Sequence, residues 1–439
     1  MTRPIEASIS LANLRHNFAI ARGLAPKAWV MAVVKANAYG HGAVQIARAL
    51  EESAGGDGAY TLPADAFGLA RLAFGVARLE EGLELRAAGI KSKIVLLSGV
   101  FNRDELAEAR RRQLDMVVHS NSQLDMLLGE SGGAQVKVQA KRKTNEPPAV
   151  IWLKLDSGMH RLGLQAAEFR QAVQRLRAAK SIKDLVFMSH LACADQPAAA
   201  LNNHQLAHFQ ETIDCLDIRP NEALSLANSA ALITRKDMHF DWVRPGVMLY
   251  GINPLNEEPL NEELLNEELL NDGKPLNENP LNEEPLDKSL PDKSADLNAL
   301  DRVSSTSAMA KLRPVMTLRS KIIAIQTVPA GDTVGYGDVW RARRVSTIGI
   351  VAAGYGDGYP RHASNATPVR VNGQLCRLAG RVSMDLMAID LTDIQGVKIG
   401  DPVTLWGEGL PLETVAQHSG TIAYELLTGV NQRVKFRYI

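Results

Sequence analysis

Lys35 is the residue whose type and position most clearly indicate chemistry. It follows the apolar run Trp29–Val34 and opens a stretch of small residues that ends at Gly42. Burial at a strand end lowers the pKa of an amine because it disfavours the charged form, and a neutral amine can attack an aldehyde. Tyr39 and Gly40 follow, and a hydroxyl and an open backbone turn suit a nearby phosphate. A lysine that merely reaches from a strand end to solvent is the alternative for an isolated Val-Lys pair.

A second set of charged residues follows the apolar run Val150–Leu155. Lys154 and Asp156 point to the same side of this predicted strand, and Arg161 comes one short loop later. A salt bridge at a strand end would explain Lys154 and Asp156 if they stood alone. The arginine that follows them makes the block a candidate functional site.

Two later strings, Ser225–Ala230 and Val243–Gly251, carry groups that could bind an anion. Ser229 offers a hydroxyl, and Gly246 and Val247 offer backbone N–H groups that can approach an anion closely. Both strings end predicted barrel strands, seven and eight, where barrels commonly build phosphate sites.

Glycine-flanked tyrosines occur twice near the C-terminal end of the chain. Tyr336 lies in Val334–Trp340, and Tyr355 lies in Ala353–Arg361. A tyrosine between two glycines predicts a tight turn with an aromatic lid when it stands alone. The string Gly380–Asp385 follows, so these residues are candidates for a second part of the site.

In chain order, these strings resemble the motifs of the alanine racemases, which depend on pyridoxal 5'-phosphate (PLP). The resemblance covers the chain from Ile5 to Ile439 and leaves out 255–310, a duplicated heptad at 66–79 and the stretch 132–148. It implies an isomerase (EC 5.1.1.1) that interconverts L-alanine and D-alanine and supplies D-alanine for cell-wall peptidoglycan or catabolises it. It further implies a homodimer with shared active sites, in which the β domain of one subunit covers the barrel mouth of the other.

The resemblance also implies which residues act on the substrate. Lys35 and Tyr336 are the two opposing bases, with Lys35 acting on the D-enantiomer and Tyr336 on the L-enantiomer. Arg161 and the backbone N–H of Met384 receive the substrate carboxylate. A planar, permanently charged guanidinium suits that task.

The cofactor site is implied in the same way. The residues expected to bind PLP are Lys35, Tyr39, Arg161, His190, Asn228, Ser229, Arg244, Gly246, Val247 and Tyr424. Lys154 is the counterpart of a lysine that is often carbamylated, a change that would turn a repelling cation into an anion that holds Arg161. Tyr355 and Asp357 are expected to line the entrance.

Arg244 distinguishes an alanine racemase from a decarboxylase of the same architecture. The family places its counterpart against the pyridine nitrogen of the cofactor, where an arginine donates but cannot help to protonate. Decarboxylases of the same architecture usually put an acidic group there, so Arg244 argues against them. Non-enzymatic cofactor-carrying barrels lack the Tyr336 domain. A broader-specificity amino-acid racemase stays open, because sequence does not measure the volume of the substrate pocket.

Eight short apolar runs, each followed by a helix-like stretch, predict the element that positions these residues. Alternating strands and helices imply parallel pairing, and eight units imply a (β/α)8 TIM-type barrel with its chemistry at the C-terminal strand ends. The runs are Trp29–Val34, one within Ala66–Ala77, Ile94–Leu97, Met116–Val118, Val150–Leu155, Leu185–Met188, Leu224–Leu226 and Val243–Leu249.

The pattern changes to strands separated by glycine-rich turns from about Leu312 onward. These strands are predicted at Lys321–Val328, Val345–Ala353, Val369–Leu378, Leu386–Leu391, Pro402–Trp406 and Val434–Ile439. The expected fold class is therefore α/β, with an N-terminal barrel at 1–253, an insertion at 254–311 and a C-terminal mainly β domain at 312–439.

Two local irregularities interrupt this plan. Residues 66–72 are nearly repeated by 73–79, and the second copy is predicted to form the barrel strand because it leads directly into a helical stretch. Residues 255–294 repeat Leu-Asn about every five residues and carry a net charge of −9. They are expected to be a mostly disordered insertion that catalysis does not need, and an acidic interaction tail is the alternative.

Composition excludes several classes of protein. The chain has no run of 18 apolar residues, and its N-terminus lacks the features of a signal peptide. Its three cysteines are too few and too scattered for a disulfide framework or a cysteine-based metal site, so no metal is expected. The sequence has no stripe of Lys and Arg with interleaved aromatic residues, so nucleic acid is not an expected partner. A cytoplasmic enzyme without membrane or nucleic-acid partners is the expectation.

Overall fold

The computed structural model describes residues 3–55, 72–129, 149–179, 182–255 and 311–439. These residues form two compact units. Residues 14–249 and 311–312 make up the barrel unit, and residues 3–13, 250–255 and 313–439 make up the β unit. Most of the first heptad copy, the stretch 132–148 and nearly all of the predicted insertion lie outside the described residues.

Eight parallel strands close the barrel unit into a ring, which confirms the predicted TIM-type barrel. Numbered after the N-terminal strand β1 (Glu6–Ile9), they are β2 (Trp29–Val33), β3 (Leu72–Val76), β4 (Lys93–Leu96), β5 (Asp115–Val118), β6 (Ala149–Lys154), β7 (Ile182–Met188), β8 (Glu222–Ser225) and β9 (Trp242–Val243). Strand β3 runs into the second heptad copy, as predicted. The predicted strand Val243–Leu249 is wrong beyond Val243, because Pro245 has no N–H for a ladder and Val247–Tyr250 forms a 3₁₀ turn.

Helices follow the strands, and capping residues mark the ends of some of them. They are α1 (Leu11–Leu24), α2 (Ala43–Gly55), α3 (Leu79–Ala87), α4 (Arg103–Arg111), α5 (Asn121–Leu128), α6 (Ala166–Ala178), α7 (Ala200–Asp214) and α8 (Ser229–Thr234). Asn102 caps α4, since its Oδ1 accepts the Glu105 N–H at 2.9 Å. Gly129 ends α5 with a φ of 76°.

Inward-facing side chains from all eight strands fill the centre of the barrel. They include Met31, Ala73, Val95, Val117, Trp152, Val186, Ala223 and Trp242. The rings of Trp152 and Trp242 meet edge to face with centroids 5.2 Å apart. Because side chains alternate along a strand, Lys154 and Arg244 face inward two residues after these tryptophans. The packed layer therefore closes the barrel beneath the polar groups at its mouth.

Asp115 begins β5 at the opposite end of the barrel, where burial raises the pKa of its carboxyl to about 6 although Lys93 and Arg86 lower it. A carboxyl that ionises less readily in the folded chain stabilises the fold below its unfolded pKa, and this contribution is lost as the pH rises from about 4 through 6. We expect urea unfolding to show Asp115→Asn gaining about 1–2 kcal/mol on the wild type between pH 4.5 and 7. The exposed Asp214→Asn is the control, and a pH-independent difference for Asp115→Asn would contradict the argument.

An eight-stranded sheet organises the β unit and confirms the predicted mainly β domain. Besides β1 it contains β10 (Met316–Val328), β11 (Ser346–Val351), β12 (Pro368–Val371), β13 (Gln374–Arg377), β14 (Met387–Asp390), β15 (Pro402–Trp406) and β16 (Lys435–Tyr438). The order is β13-β12-β15-β10-β1-β16, and β11 joins β10 to β14. Two short helices, α9 (Leu412–His418) and α10 (Ala423–Gly429), complete the unit.

Two features of the β unit depart from the sequence-based plan. Residues 3–13 lie in this unit rather than with the barrel, because β1 pairs antiparallel with β10 and parallel with β16. The predicted strand Val369–Leu378 is wrong, since it is the hairpin β12–β13. Asn372 and Gly373 turn the chain there with φ of 49° and 83°.

Candidate active site

Basic side chains gather at the C-terminal ends of the barrel strands. The charges of Lys35, Arg161 and Arg244 lie close enough to lower the pKa values of both Lys154 and His190. In a closed parallel barrel all C-terminal strand ends meet at one face, which explains how residues so far apart in the chain come together. Five predicted site residues thus form one positively charged cluster.

Lys35 directly precedes a left-handed turn. Residues 36–39 adopt φ of 51–55°, a conformation that costs an ordinary residue about 1–2 kcal/mol. Backbone bonds close the turn, with the Ala38 N–H donating to the Val34 carbonyl at 2.8 Å. The Asn37 Oδ1 accepts the Ala43 N–H at 2.8 Å and so ties the turn to α2. Strain of this kind persists only where the surroundings hold it, and it concentrates at functional sites.

The cluster lowers the pKa of both lysine amines. Burial, followed by the charges of Arg244 and Arg161, lowers the pKa of Lys154 to about 8. The Lys35 side chain reaches the surface of the barrel unit, yet desolvation by the surrounding protein and the charge of Arg161 lower its pKa, while Glu81 raises it. A larger fraction of each amine is therefore neutral at pH 7 than in a solvated lysine.

Arg244 is only 5 % exposed, and other barrel groups fix its guanidinium. Its Nη1 donates to Ser225 Oγ at 2.6 Å, and its Nη2 donates to the carbonyls of Ser189 at 2.6 Å and Leu226 at 3.0 Å. Nη2 also lies 3.4 Å from His190 Nδ1, and burial keeps the pKa of His190 well below its usual value. Among the residues that the structure describes, the Nε–H of Arg244 meets no acceptor, which leaves it for a bound molecule.

Three of the predicted phosphate ligands lie side by side. Ser229 Oγ accepts the Gly246 N–H at 2.8 Å, and a Cβ added at Gly246 would lie 2.7 Å from the Tyr39 hydroxyl. Burial raises the pKa of Tyr39, which keeps that hydroxyl protonated as a donor. Asn228 Oδ1 accepts the Ala231 N–H at 3.0 Å as the N-cap of α8, and its contact with a cofactor stays a prediction.

A tight loop carries Arg161 at the barrel mouth. Asp156 Oδ1 accepts the N–H groups of Gly158 at 3.1 Å and His160 at 3.0 Å. Although burial raises the pKa of Asp156, these donors hold it below its usual value. Gly163 allows the end of the loop to pack closely against the backbone at Asp156, since a Cβ at Gly163 would lie 2.5 Å from the Asp156 backbone nitrogen. Asp156 therefore stabilises the loop that carries Arg161.

The β unit exposes its predicted functional groups. Tyr336 is 70 % exposed on a 3₁₀ turn, flanked by Gly335 and Gly337 with φ of 79° and 80°. Met384 is 52 % exposed. Tyr424 lies half-buried in α10 of the same unit. The catalytic and binding roles of these residues stay predictions.

Asp357, predicted to line an entrance, is fully buried instead. Its carboxylate accepts from Arg3 Nη1 at 2.8 Å and from the Gly354 N–H at 3.0 Å, and Arg433 Nε lies 3.4 Å away. Arg3 Nη2 also donates to the Asp385 carbonyl at 2.6 Å. This ion-pair cluster fixes the turn that begins at Gly354 against the segment that ends at Asp385. Tyr355 on that turn is 38 % exposed.

Three charged residues of these sites were missed by the sequence analysis: Glu81, Arg3 and Arg433. Glu81 is the third residue of α3 and its carboxylate accepts the Arg78 N–H. The capping-box pattern does not signal this contact, because Arg78 stands where the pattern needs Ser or Thr. No pattern links Arg3 to Arg433, because they lie near opposite ends of the chain.

Within the described ranges, no group of three or more His, Cys, Asp or Glu side chains could hold a metal ion. No helix of the described part is long and apolar enough to cross a membrane. Cys193 is half-buried, Cys215 is exposed and Cys376 is buried.

Two protein-family models match this chain. The model of the alanine racemase N-terminal domain matches residues 9–254, and that of the alanine racemase C-terminal domain matches residues 315–438. Among curated proteins, an alanine racemase of Chromohalobacter salexigens is 43% identical over 100% of this chain and 98% of its own length.

Solved structures match over both units. The biosynthetic alanine racemase from Pseudomonas aeruginosa superposes with a TM-score of 0.78 at 38% identity, covering 100% of both chains. The alanine racemase from Bartonella henselae, solved with covalently bound pyridoxal phosphate, gives a TM-score of 0.74 at 27% identity and covers 99% of both chains.

Proposed function

This chain belongs to the alanine racemase family of isomerases, and we propose that it interconverts L-alanine and D-alanine with PLP as its cofactor. The cluster at the barrel mouth carries the proposal, because it sets Lys35, whose pKa is lowered by burial and by the charge of Arg161, directly before a strained turn. The family resemblance supports a cytoplasmic enzyme that supplies D-alanine for peptidoglycan or catabolises it.

The residues at the barrel mouth fit PLP. Bound through Lys35, PLP supplies an electron-withdrawing ring that eases loss of the substrate Cα proton. The Nε–H of Arg244 meets no acceptor among the described residues and can donate to a ring nitrogen. Because Arg244 keeps its own proton, it adds no charge to that nitrogen, which favours proton return over transamination or decarboxylation.

Two bases complete the reaction. The Cα proton must leave one face of the substrate and return to the other, and bases on opposite faces give the simplest route. We assign Lys35 Nζ to the D-enantiomer and the Tyr336 hydroxyl to the L-enantiomer. A phenolate base needs a cation to stabilise it, and in the shared site proposed below Arg161 from the barrel of the other copy would supply that cation. Arg161 and the Met384 N–H hold the substrate carboxylate.

Lys154 is suited to carbamylation. Its pKa of about 8 leaves part of the amine neutral near physiological pH. The neutral nitrogen attacks the carbon of CO₂ and loses a proton, which gives a carbamate anion. That anion would attract Arg161, whereas the ammonium repels it. We propose this modification as the support that holds Arg161 in place.

The site is proposed to be shared across a homodimer. Lys35, Arg161 and Arg244 belong to the barrel unit, whereas Tyr336 and Met384 belong to the β unit. The high exposure of Tyr336 and Met384 supports a surface that meets the barrel mouth of a second copy.

Mixing the two impaired variants Lys35→Ala and Tyr336→Phe should raise activity well above that of either variant alone. Once subunits exchange, a hybrid dimer holds one site with both bases intact. Exchange is followed with differently tagged subunits, and each variant mixed with itself is the control. No recovery despite proven exchange would show that each site is completed within one chain.

Gly246→Ala should weaken PLP binding by about tenfold or more. The added Cβ would lie 2.7 Å from the Tyr39 hydroxyl and displace a phosphate donor, and one lost charge-assisted hydrogen bond is worth about 1.5–3 kcal/mol. Titration of cofactor-free protein with PLP, followed by absorbance, measures the effect. Gly23→Ala in α1 is a matched control, because no atom lies within 4 Å of the Cβ that it adds and Gly23 does not have a positive φ. Equal affinity of Gly246→Ala and wild type would remove Gly246 from the cofactor site.

Chiral chromatography of purified protein tests the proposed function. L-alanine should convert to an equal mixture of both enantiomers, and so should D-alanine. A panel of other L-amino acids under the same conditions tests the alternative of a broader-specificity racemase. Preferential turnover of a larger amino acid would favour that alternative, and no racemisation of any substrate would refute both.

A further inference from the structure

Glu81 joins two loops at the mouth of the barrel. Its Oε1 accepts the Ala36 N–H at 2.7 Å, and its Oε2 accepts the N–H groups of Ala77 at 2.7 Å and Arg78 at 3.2 Å. Ala36 directly follows Lys35, whereas Ala77 and Arg78 follow β3. One carboxylate therefore holds the segment after β2 against the segment after β3.

The segment that Glu81 holds is strained. Residues 36–39 are left-handed, a conformation that L-residues avoid because Cβ comes too close to the following carbonyl oxygen. Ala36 is the first residue of this turn, so its N–H lies where the chain changes hand. A hydrogen bond from a backbone N–H to a carboxylate is about twice as strong as a neutral one. The bond to Glu81 is thus placed where it best opposes relaxation of the turn.

We propose that Glu81 is a positioning residue that fixes the direction in which Lys35 leaves its strand, through the hydrogen bond to the Ala36 N–H. The inference rests on the proposed function, because it assumes that Lys35 must stand at a defined place. It assigns Glu81 no contact with substrate or cofactor.

Glu81 also acts on Lys35 through its charge. Burial and the charge of Arg161 lower the pKa of Lys35, and the negative charge of Glu81 opposes them. The charge of Lys35 acts in turn on Lys154 and His190. Without the charge of Glu81, Arg161 is the remaining charge that acts on Lys35, and it lowers the Lys35 pKa. The pKa of Lys35 should therefore fall further.

Glu81→Gln and Glu80→Gln form a matched pair of variants. Both glutamates lie in the first turn of α3, and Glu80 is exposed. Glutamine at 81 presents an NH₂ group, which cannot accept from a backbone N–H, in place of one carboxylate oxygen. We expect hydrogen–deuterium exchange of cofactor-free protein to be at least several-fold faster at residues 35–40 in Glu81→Gln. Exchange in Glu80→Gln should match the wild type.

Two further measurements separate positioning from a general loss of structure. Competitive labelling of the Lys35 amine with a trace acylating reagent, across a pH series, should give a lower pKa in Glu81→Gln only. With PLP bound, the kcat for alanine should fall about 10–100-fold while KM and far-ultraviolet circular dichroism change little, because small misplacements of reacting groups are costly.

Unchanged exchange at residues 35–40 would overturn the proposal whatever the Lys35 pKa, because loss of the Glu81 charge alone can lower that pKa. If Glu81→Gln does not fold, Glu81→Asp replaces it, since aspartate keeps the charge but is one methylene too short to reach both loops. Exchange at residues 35–40 equal to that of the wild type would again contradict the proposal. Exchange and labelling need neither cofactor nor substrate, so they report on Glu81 even if the wild type racemises no alanine.

Discussion

Replacing Lys35 by alanine should lower alanine racemisation by at least about 10⁴-fold. The substitution removes two functions at once, because Lys35 is both the covalent attachment for PLP and the base at one face of the substrate. Chiral chromatography of both reaction directions measures the loss. In the wild type, borohydride reduction should leave PLP bonded to the peptide that contains Lys35, and digestion with mass spectrometry identifies that peptide.

Lys91→Ala is the control for this change, because Lys91 is an exposed lysine just before β4. It should keep wild-type activity. Attachment of PLP to a lysine other than Lys35, or activity of Lys35→Ala within tenfold of the wild type, would refute the assignment.

Tyr336→Phe should lower racemisation by about 10²–10⁴-fold, the usual range for loss of a general base, with PLP binding unchanged. The ring and its turn remain, and only the hydroxyl that moves the proton is lost. Steady-state rates from L-alanine and from D-alanine should fall together, because one variant cannot change the equilibrium constant of the reaction.

The two enantiomers should nevertheless differ in hydrogen exchange. In deuterated water, Tyr336→Phe should still exchange the Cα proton of D-alanine through Lys35, whereas exchange from L-alanine should be lost. Proton magnetic resonance follows both. Tyr438→Phe, a change to a half-buried tyrosine on β16, should leave both exchanges intact. Equal loss from both enantiomers in Tyr336→Phe would contradict the division of roles between the bases.

The barrel could be predicted because its strands are buried on both faces. Such strands form continuous apolar runs, so Val150–Leu155 and Leu185–Met188 stand out from the flanking helices. Side-chain alternation then fixes which polar residues face inward. Lys154 follows Trp152 by two positions, and Arg244 follows Trp242 by two, so both tryptophans of the interior mark the direction of the functional residues.

The two wrong strand predictions have local causes, because competing sequence signals obscured a turn in each case. The apolar run after Val243 looks like a strand, but Pro245 cannot donate to a ladder and the chain turns. The Asn372–Gly373 pair is a strong hairpin signal, yet apolar residues on both sides of it made a single strand look plausible.

The left-handed turn after Lys35 could not be predicted at all. Alanine and asparagine in residues 36–38 have no local reason to adopt positive φ together. Contacts from elsewhere in the fold impose it, including the Glu81 carboxylate. The burial of Asp357 has a similar origin, since Arg3 and Arg433 reach it from the two ends of the chain. Sequence patterns show which residues can do chemistry, but such long-range contacts decide how those residues are held.

One isotope measurement tests the two-base account most directly. Wild-type enzyme is given L-alanine with protium at Cα in deuterated water, and the reaction is stopped after a few per cent of conversion. If Tyr336 removes the proton and Lys35 supplies another from the opposite face, nearly every molecule of D-alanine should carry deuterium at Cα, while the remaining L-alanine is still mostly protiated. D-alanine that retains the original protium would show that one base returns the proton it removed, and would contradict the account.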